Sequence, residues 1–125
     1  MPAGALITNA GKAIEAKRMI GNTQVAPGWM GFGSATRTAA VTDTALTTPI
    51  GSRYACALST VTTTNTNDTY QALTTFTAAG AESIREIGVF DASTAGNMYV
   101  SITLGYTITL ATSDSVQYTV KVQYA

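Results

Sequence analysis

Arg85 and Glu86 stand side by side in SIREIGVFDAS (residues 83–93), within a chain of 125 residues that holds seven basic and seven acidic side chains. Opposite charges in a stretch that otherwise reads as a β-strand have three uses: acid–base chemistry, an ion pair, or a hold for a partner. Side chains alternate between the faces of a strand, so neighbours in a regular strand do not pair with each other. Arg85 falls on one face with Ile87 and Val89; Glu86 falls on the other with Ile84 and Phe90, across Gly88. An unpaired buried charge is costly, so each needs a group from elsewhere. Arg37, Arg53, Asp43 and Asp114 are the in-chain candidates. The spacing predicts a structural charge clamp of Arg85 and Glu86 that ties strands or subunits together.

Other chemistry finds little support. The chain has no histidine, which removes the usual general base near neutral pH and the commonest metal ligand. Glu82, Glu86 and Asp91 are the carboxylates a glycosidase would need, spaced ~5–10 Å apart in a cleft. Five positions separate Glu86 from Asp91, so an extended strand turns them to opposite sides. Cys56 alternates with Tyr54 and Leu58 and reads as a core thiol with no imidazole to activate it. GWMGFGS has the glycines of a phosphate loop but neither its GK[ST] nor a following helix. NDT at Asn67 fits the glycosylation tripeptide, with nothing that indicates a secretory route. No catalytic residue, metal ligand or cofactor site is expected, and the chain is read as no enzyme.

The totals bound the remaining possibilities. Charged residues make up 11% of the chain, against ~25% in an average soluble domain, while threonine is the commonest residue. Two readings fit: a β-protein wetted by hydroxyls, or a subunit whose surface is covered in an assembly, since interface cores are poor in charge. Net charge is zero and neither sign is clustered beyond Lys12, Lys17 and Arg18, so neither nucleic acid nor an anionic membrane is an expected partner. The start, MPAGALITNAGK, lacks a cationic leader, and no apolar run reaches the ~18 residues needed to cross a bilayer. A soluble, unexported protein, or one released by lysis, is expected. One cysteine leaves no internal disulfide.

The elements that must position these residues are mostly strands. TNAGKAIEAKRMIGN predicts one helix, capped by Thr8 or Asn9, with Ala10, Ala13, Ile14 and Ile20 as its apolar stripe. Lys17 and Arg18 suit its last turn, and Gly21 its left-handed cap. VAPGWMGFGS follows as a short strand with glycines where side chains would crowd, and TDTALTTPIG as a capped turn or a single helical turn. SRYACALSTVTTT and TYQALTTFTA flank NTND as a hairpin. SIREIGVFDA leads through STAGN to MYVSITL; Gly105 interrupts before YTITLA. In SVQYTVKVQYA, Val116, Tyr118, Val120, Val122 and Tyr124 face one way and Gln117, Thr119, Lys121 and Gln123 the other. The expected fold is mainly β: an antiparallel sandwich or barrel of six to seven strands, one domain over residues 1–125, with an N-terminal arm and helix over about residues 1–21.

The segments LITNAGKAIEAKRMIG, WMGFGSATRTAAVTDTAL, SRYACALSTVTTTNTNDTYQ and IREIGVFDASTAGNMYVSITL occur in an order that resembles small virion structural proteins of tailed bacteriophages. More loosely, the chain is similar to the N-terminal attachment domain of phage tail fibres. That domain also begins with a TNAG-type helix and passes through a glycine-flanked strand and a TxL turn to an arginine-bearing strand and a REIGLFD-like segment. The likeness covers nearly the whole chain. One departure matters: no repetitive shaft, trimeric stalk or receptor-binding tip follows the last strand.

The resemblance therefore implies a capsid decoration or cement protein on the outer surface of the virion, made in the bacterial host cytoplasm. Its partners would be the major capsid protein and copies of itself in a homo-oligomer. A tail-fibre or baseplate adaptor is the alternative, and a carbohydrate-binding module a remote one. The expected contact residues are Pro2, Leu6 and Ile7 in the apolar arm, with Trp29 and Met30; Trp29 is also open to a reading as a core aromatic.

Overall fold

Thr8 joins the first two elements to the rest of the chain. A computed structural model of the chain describes residues 4–21 and 23–124. In it, strand β1 (Ala5–Ile7) runs directly into helix α1 (Asn9–Met19). The Thr8 hydroxyl caps the helix by accepting the Gly11 N–H at 2.9 Å, and donates to the Met98 carbonyl at 2.5 Å. The helix is thus pinned to strand β7 (Met98–Leu110). Gly11 makes the approach possible, because a Cβ there would lie 2.2 Å from the Tyr99 carbonyl oxygen.

The helix buries Gly11 and Ile14, with Lys17 and Arg18 in its last turn and Gly21 at φ +76° beyond it. The expected stripe needs correction. Ala13 is exposed, and Ile20 is 80% exposed. Six residues at 100° each put Ile20 about 120° round the axis from Ile14, off the buried face.

The remaining strands are β2 (Trp29–Gly33), β3 (Tyr54–Ala55), β4 (Ala57–Val61), β5 (Thr69–Thr77), β6 (Glu82–Phe90) and β8 (Ser115–Gln123). They form two antiparallel sheets, ordered β1-β7-β6-β2-β3 and β4-β5-β8. Of the two expected architectures, the sandwich forms rather than the closed barrel. Eight strands appear among the described residues, because Ala5–Ile7 forms an edge and Cys56 divides SRYACALSTV between the two sheets. The alternation of β8 places Val120 and Val122 inside and Gln117, Thr119, Lys121 and Gln123 outside. Between the sheets pack Phe32, Phe76, Ile84, Ile87, Val89 and Val100, with the Phe32 and Phe76 rings 4.9 Å apart.

The outer face of the larger sheet is also covered. Ladder pairs Trp29–Phe90, Gly31–Gly88 and Gly33–Glu86 put these residues on one side, and Ser101 and Thr103 of β7 join them opposite Gly88 and Glu86. Residues 34–53 cross this face as a strap with no helix, so TDTALTTPIG forms no helical turn. The strap hydrogen-bonds back to β2 through Ser34 N–H to the Thr48 carbonyl and Ile50 N–H to the Phe32 carbonyl. Leu46 packs against Phe90 and Met98 with Trp29 beside them.

The ladder between β6 and β7 slips twice, by one residue between Val89 and Phe90 and by a larger step at Arg85. Ile84 pairs with Ile108 but Glu86 with Thr103, so residues 104–107 bulge outward opposite Arg85 alone. This is how the interruption at Gly105 is expressed. The larger slip also breaks simple alternation: Ile84 lies in the core with Ile87, not on the face of Glu86 as regular spacing requires.

Candidate functional site

Glu86 is fully buried, with 0% exposure. Its carboxylate accepts from Arg37 Nε at 2.7 Å and from the backbone N–H groups of Thr47 and Thr48 at 3.1 and 2.8 Å, with Ala35 N–H at 3.3 Å. Arg37 also pairs with Asp43 at 2.6 Å and donates to Ser101 Oγ at 3.1 Å, and Ser101 donates to Asp43 at 2.7 Å. Burial opposes ionisation of Glu86, but Arg37 and the two threonine N–H groups outweigh it and hold the carboxyl below its ordinary range. Asp43 is lowered too: burial works against its charge, and Ser101, the Ala40 N–H and Arg37 overcome it. The expected clamp therefore exists at Glu86, with Arg37 as its cation. It ties the strap to the middle of a sheet.

Glycine makes room for it. A Cβ on Gly33 would lie 2.4 Å from Glu86 Oε2, and one on Gly88 would meet Met98 and Phe90 at 2.8 and 2.9 Å. Of the spaced glycines in GWMGFGS, Gly33 thus makes room for a carboxylate of this chain, while Gly31 faces Leu46, Phe90 and Arg53.

Arg85 is not part of the pair. Among the described residues, the ion pairs are Arg37–Asp43 and Arg37–Glu86. Arg85 donates to the Ser34 carbonyl at 3.0 Å, so both neighbours reach residues 34–35 despite their adjacent positions. Asp91 is committed to the turn after β6, accepting the Asn97 N–H at 2.7 Å and the Gln24 amide at 3.1 Å. Cys56 packs against the core, where burial pushes its thiol up to about 11.

The expected contact residues fare unevenly. Pro2 lies outside the described residues. Met30 has 0% exposure; it points between the sheets, because Trp29 and Gly31 take the outer face. Ile7 packs against the same core, and Trp29 is half-buried against Leu46, Phe90 and Met98. Leu6, opposite Ser101 on the edge strand, stays half-exposed.

The exposed apolar surface lies elsewhere. A groove of about 590 Å³ runs between α1 and the smaller sheet, lined by Ile14, Met19, Pro27, Leu58, Tyr70 and Tyr124. Met19 is 87% exposed, and Leu58, Tyr124, Ile20 and Val25 are also exposed. The last two adjoin lining residues Met19 and Ala26. The groove is rigidly built. Glu15 accepts from the hydroxyls of Tyr99 and Tyr124 at 2.6 Å each, those hydroxyls contact one another, and Tyr70 donates to the Pro27 carbonyl at 2.5 Å. Burial, then the Glu15 carboxylate, pushes the pKa of Tyr99 far above that of a free phenol and that of Tyr124 up to about 12, so both hydroxyls keep their protons and remain donors. Sequence periodicity missed Met19, Leu58 and Tyr124. The available signal was the apolar pair Met19–Ile20 just before a helix-ending glycine.

Strands β4, β5 and β8 carry one charge between them, Lys121. The chain matches no family model, no curated protein and no solved structure.

Proposed function

We propose that the chain is a bacteriophage virion structural protein that decorates the head, binding across the major capsid lattice and stabilising it. The observation that carries this reading is the rigid apolar groove rimmed by exposed Met19, Leu58 and Tyr124. Exposed apolar clusters on a folded domain mark surfaces that meet other macromolecules. The charge-poor sheet beside the groove fits permanent contact, since desolvating hydroxyls and amides costs less than desolvating ions. The resemblance of the segment order to small phage virion proteins is what favours a capsid lattice as the partner.

The mechanism is mechanical. A domain that binds the assembled lattice and not its separated subunits stabilises the assembly by mass action. Contacts of ~800 Å² per partner are enough when symmetry repeats them many times. The groove would take an apolar side chain of a neighbouring subunit, and the clamped strap would keep the opposite face from deforming under load.

Counting copies per purified particle tests the reading. Hundreds of copies, with loss of heat resistance in particles that lack the protein, are expected. About a dozen copies or fewer, set by a single axis of symmetry, would assign the chain to a tail-fibre or baseplate adaptor instead.

A further inference from the structure

Three cations of this chain are half-buried: Arg37, Arg53 and Arg85. Arg37 holds two carboxylates. Arg53 lies 3.5 Å over the Phe90 ring and donates to the carbonyls of Ala92 and Ala95. Arg85 has one carbonyl, from Ser34, and a guanidinium presents five N–H donors in a planar fork. Arg85 lines a pocket of about 200 Å³ formed by the β7 bulge, with Thr36, Thr103, Leu104, Gly105, Tyr106 and Thr107 as the other walls. Thr103 Oγ1, in the same wall, is a buried side-chain oxygen with no hydrogen-bond partner. Buried hydroxyls are rarely left unpaired.

We infer that the bulge pocket is a carboxylate-binding site, with the Arg85 fork as its cation and the hydroxyl of Thr103 as a neutral donor. The ligand class follows from charge. Arg37, Asp43 and Glu86 nearby sum to one negative charge, so a single arginine beside them suits a monoanion and disfavours a phosphate dianion. A planar fork matches the two oxygens of a carboxylate. The carboxylate comes either from a small free acid or from an acidic side chain on another polypeptide. The inference stands on the pocket alone and does not depend on the decoration reading.

The test is a titration at pH 7 and constant ionic strength, following backbone amides and the Arg85 Nε–H by NMR, with sodium acetate, an acetylated Thr-Glu-Thr amide peptide, sodium phosphate and a sodium chloride control. Saturable shifts confined to residues 36, 85 and 103–107 are expected, at least tenfold weaker in Arg85→Gln. Acetate equal to the peptide assigns a small acid; a peptide bound at least tenfold more tightly assigns a protein-borne side chain. Thr103→Val, which keeps the cation, should weaken acetate severalfold without lowering the melting temperature. Phosphate binding tighter than acetate, shifts no larger than those of chloride, or unchanged affinity in both variants would overturn the assignment.

Discussion

Gly33 and Glu86 face each other in the ladder between β2 and β6, and the carboxylate of Glu86 occupies the space where any Cβ on residue 33 would stand, 2.4 Å from Oε2. The smallest residue and the most deeply buried charge of the sheet are therefore one feature. Neither makes sense without the other.

Gly33→Ala is expected to destabilise the fold strongly, and the loss should shrink when Glu86 is also replaced by Ala. Residues in contact show coupling of ~0.5–3 kcal/mol in such cycles. Gly80→Ala and Gly105→Ala, where nothing lies within 4 Å of the added carbon, are controls with little effect. Urea unfolding of the four-member cycle measures this, and additive losses would separate the two residues.

Breaking the clamp from either side is costly. Arg37→Ala strands both Glu86 and Asp43 and should cost ~3–5 kcal/mol; Glu86→Ala leaves Arg37 its pair with Asp43 but takes the acceptor from the Thr47 and Thr48 N–H groups, and should cost less. Glu86→Gln keeps the shape but turns an amide donor toward backbone N–H groups, with a smaller loss. Hydrogen exchange should show residues 34–50 opening first, before the sheets. Protection loss spread evenly over the molecule would refute the local role.

Stability should be flat from about pH 5 to 8, since no histidine titrates there. Glu86 and Asp43 are depressed in the folded chain, from ordinary values of 4.5 and 3.8. Their contribution is complete above those unfolded values and drains away as pH falls through the lower folded ones. Urea midpoints measured down the acid range should drop below about pH 4.5, and the drop should flatten in a variant lacking Glu86.

Thr8→Ala removes a helix cap and the donor to the Met98 carbonyl together. A loss greater than the ~1–2 kcal/mol of a simple cap is expected, with Thr8→Ser restoring most of it. A loss equal to that of an exposed cap would mean that the bond to β7 adds nothing.

Met19→Glu and Leu58→Lys test the groove. Both sites are exposed, so the free energy of unfolding should change by less than ~0.5 kcal/mol. On the proposed reading, binding to capsids that lack this protein should fall at least tenfold, the equivalent of ~1.4 kcal/mol. Full occupancy of particles by either variant would remove the groove from the contact.

Much of the fold was legible because strand alternation is a local signal: β8 could be read residue by residue. The clamp was legible in part. Charge cost demanded a partner for Glu86 and named Arg37 among four candidates, but the ladder slip opposite Arg85 is a tertiary event that no spacing encodes. It left Glu86 in the clamp with Arg37 and Arg85 with a carbonyl in place of a carboxylate. Met30 was misplaced as a contact residue because alternation gives two faces without saying which is inward. The groove escaped because it forms where a helix meets a sheet far away in sequence.

The strap is fastened from beneath by one carboxylate that grips it on both sides of its centre, at Arg37 and at Thr47 and Thr48. A protease cut between Asp43 and Thr47 would therefore leave two fragments still held in place. The nicked molecule would run as one species on a sizing column and come apart only in denaturant.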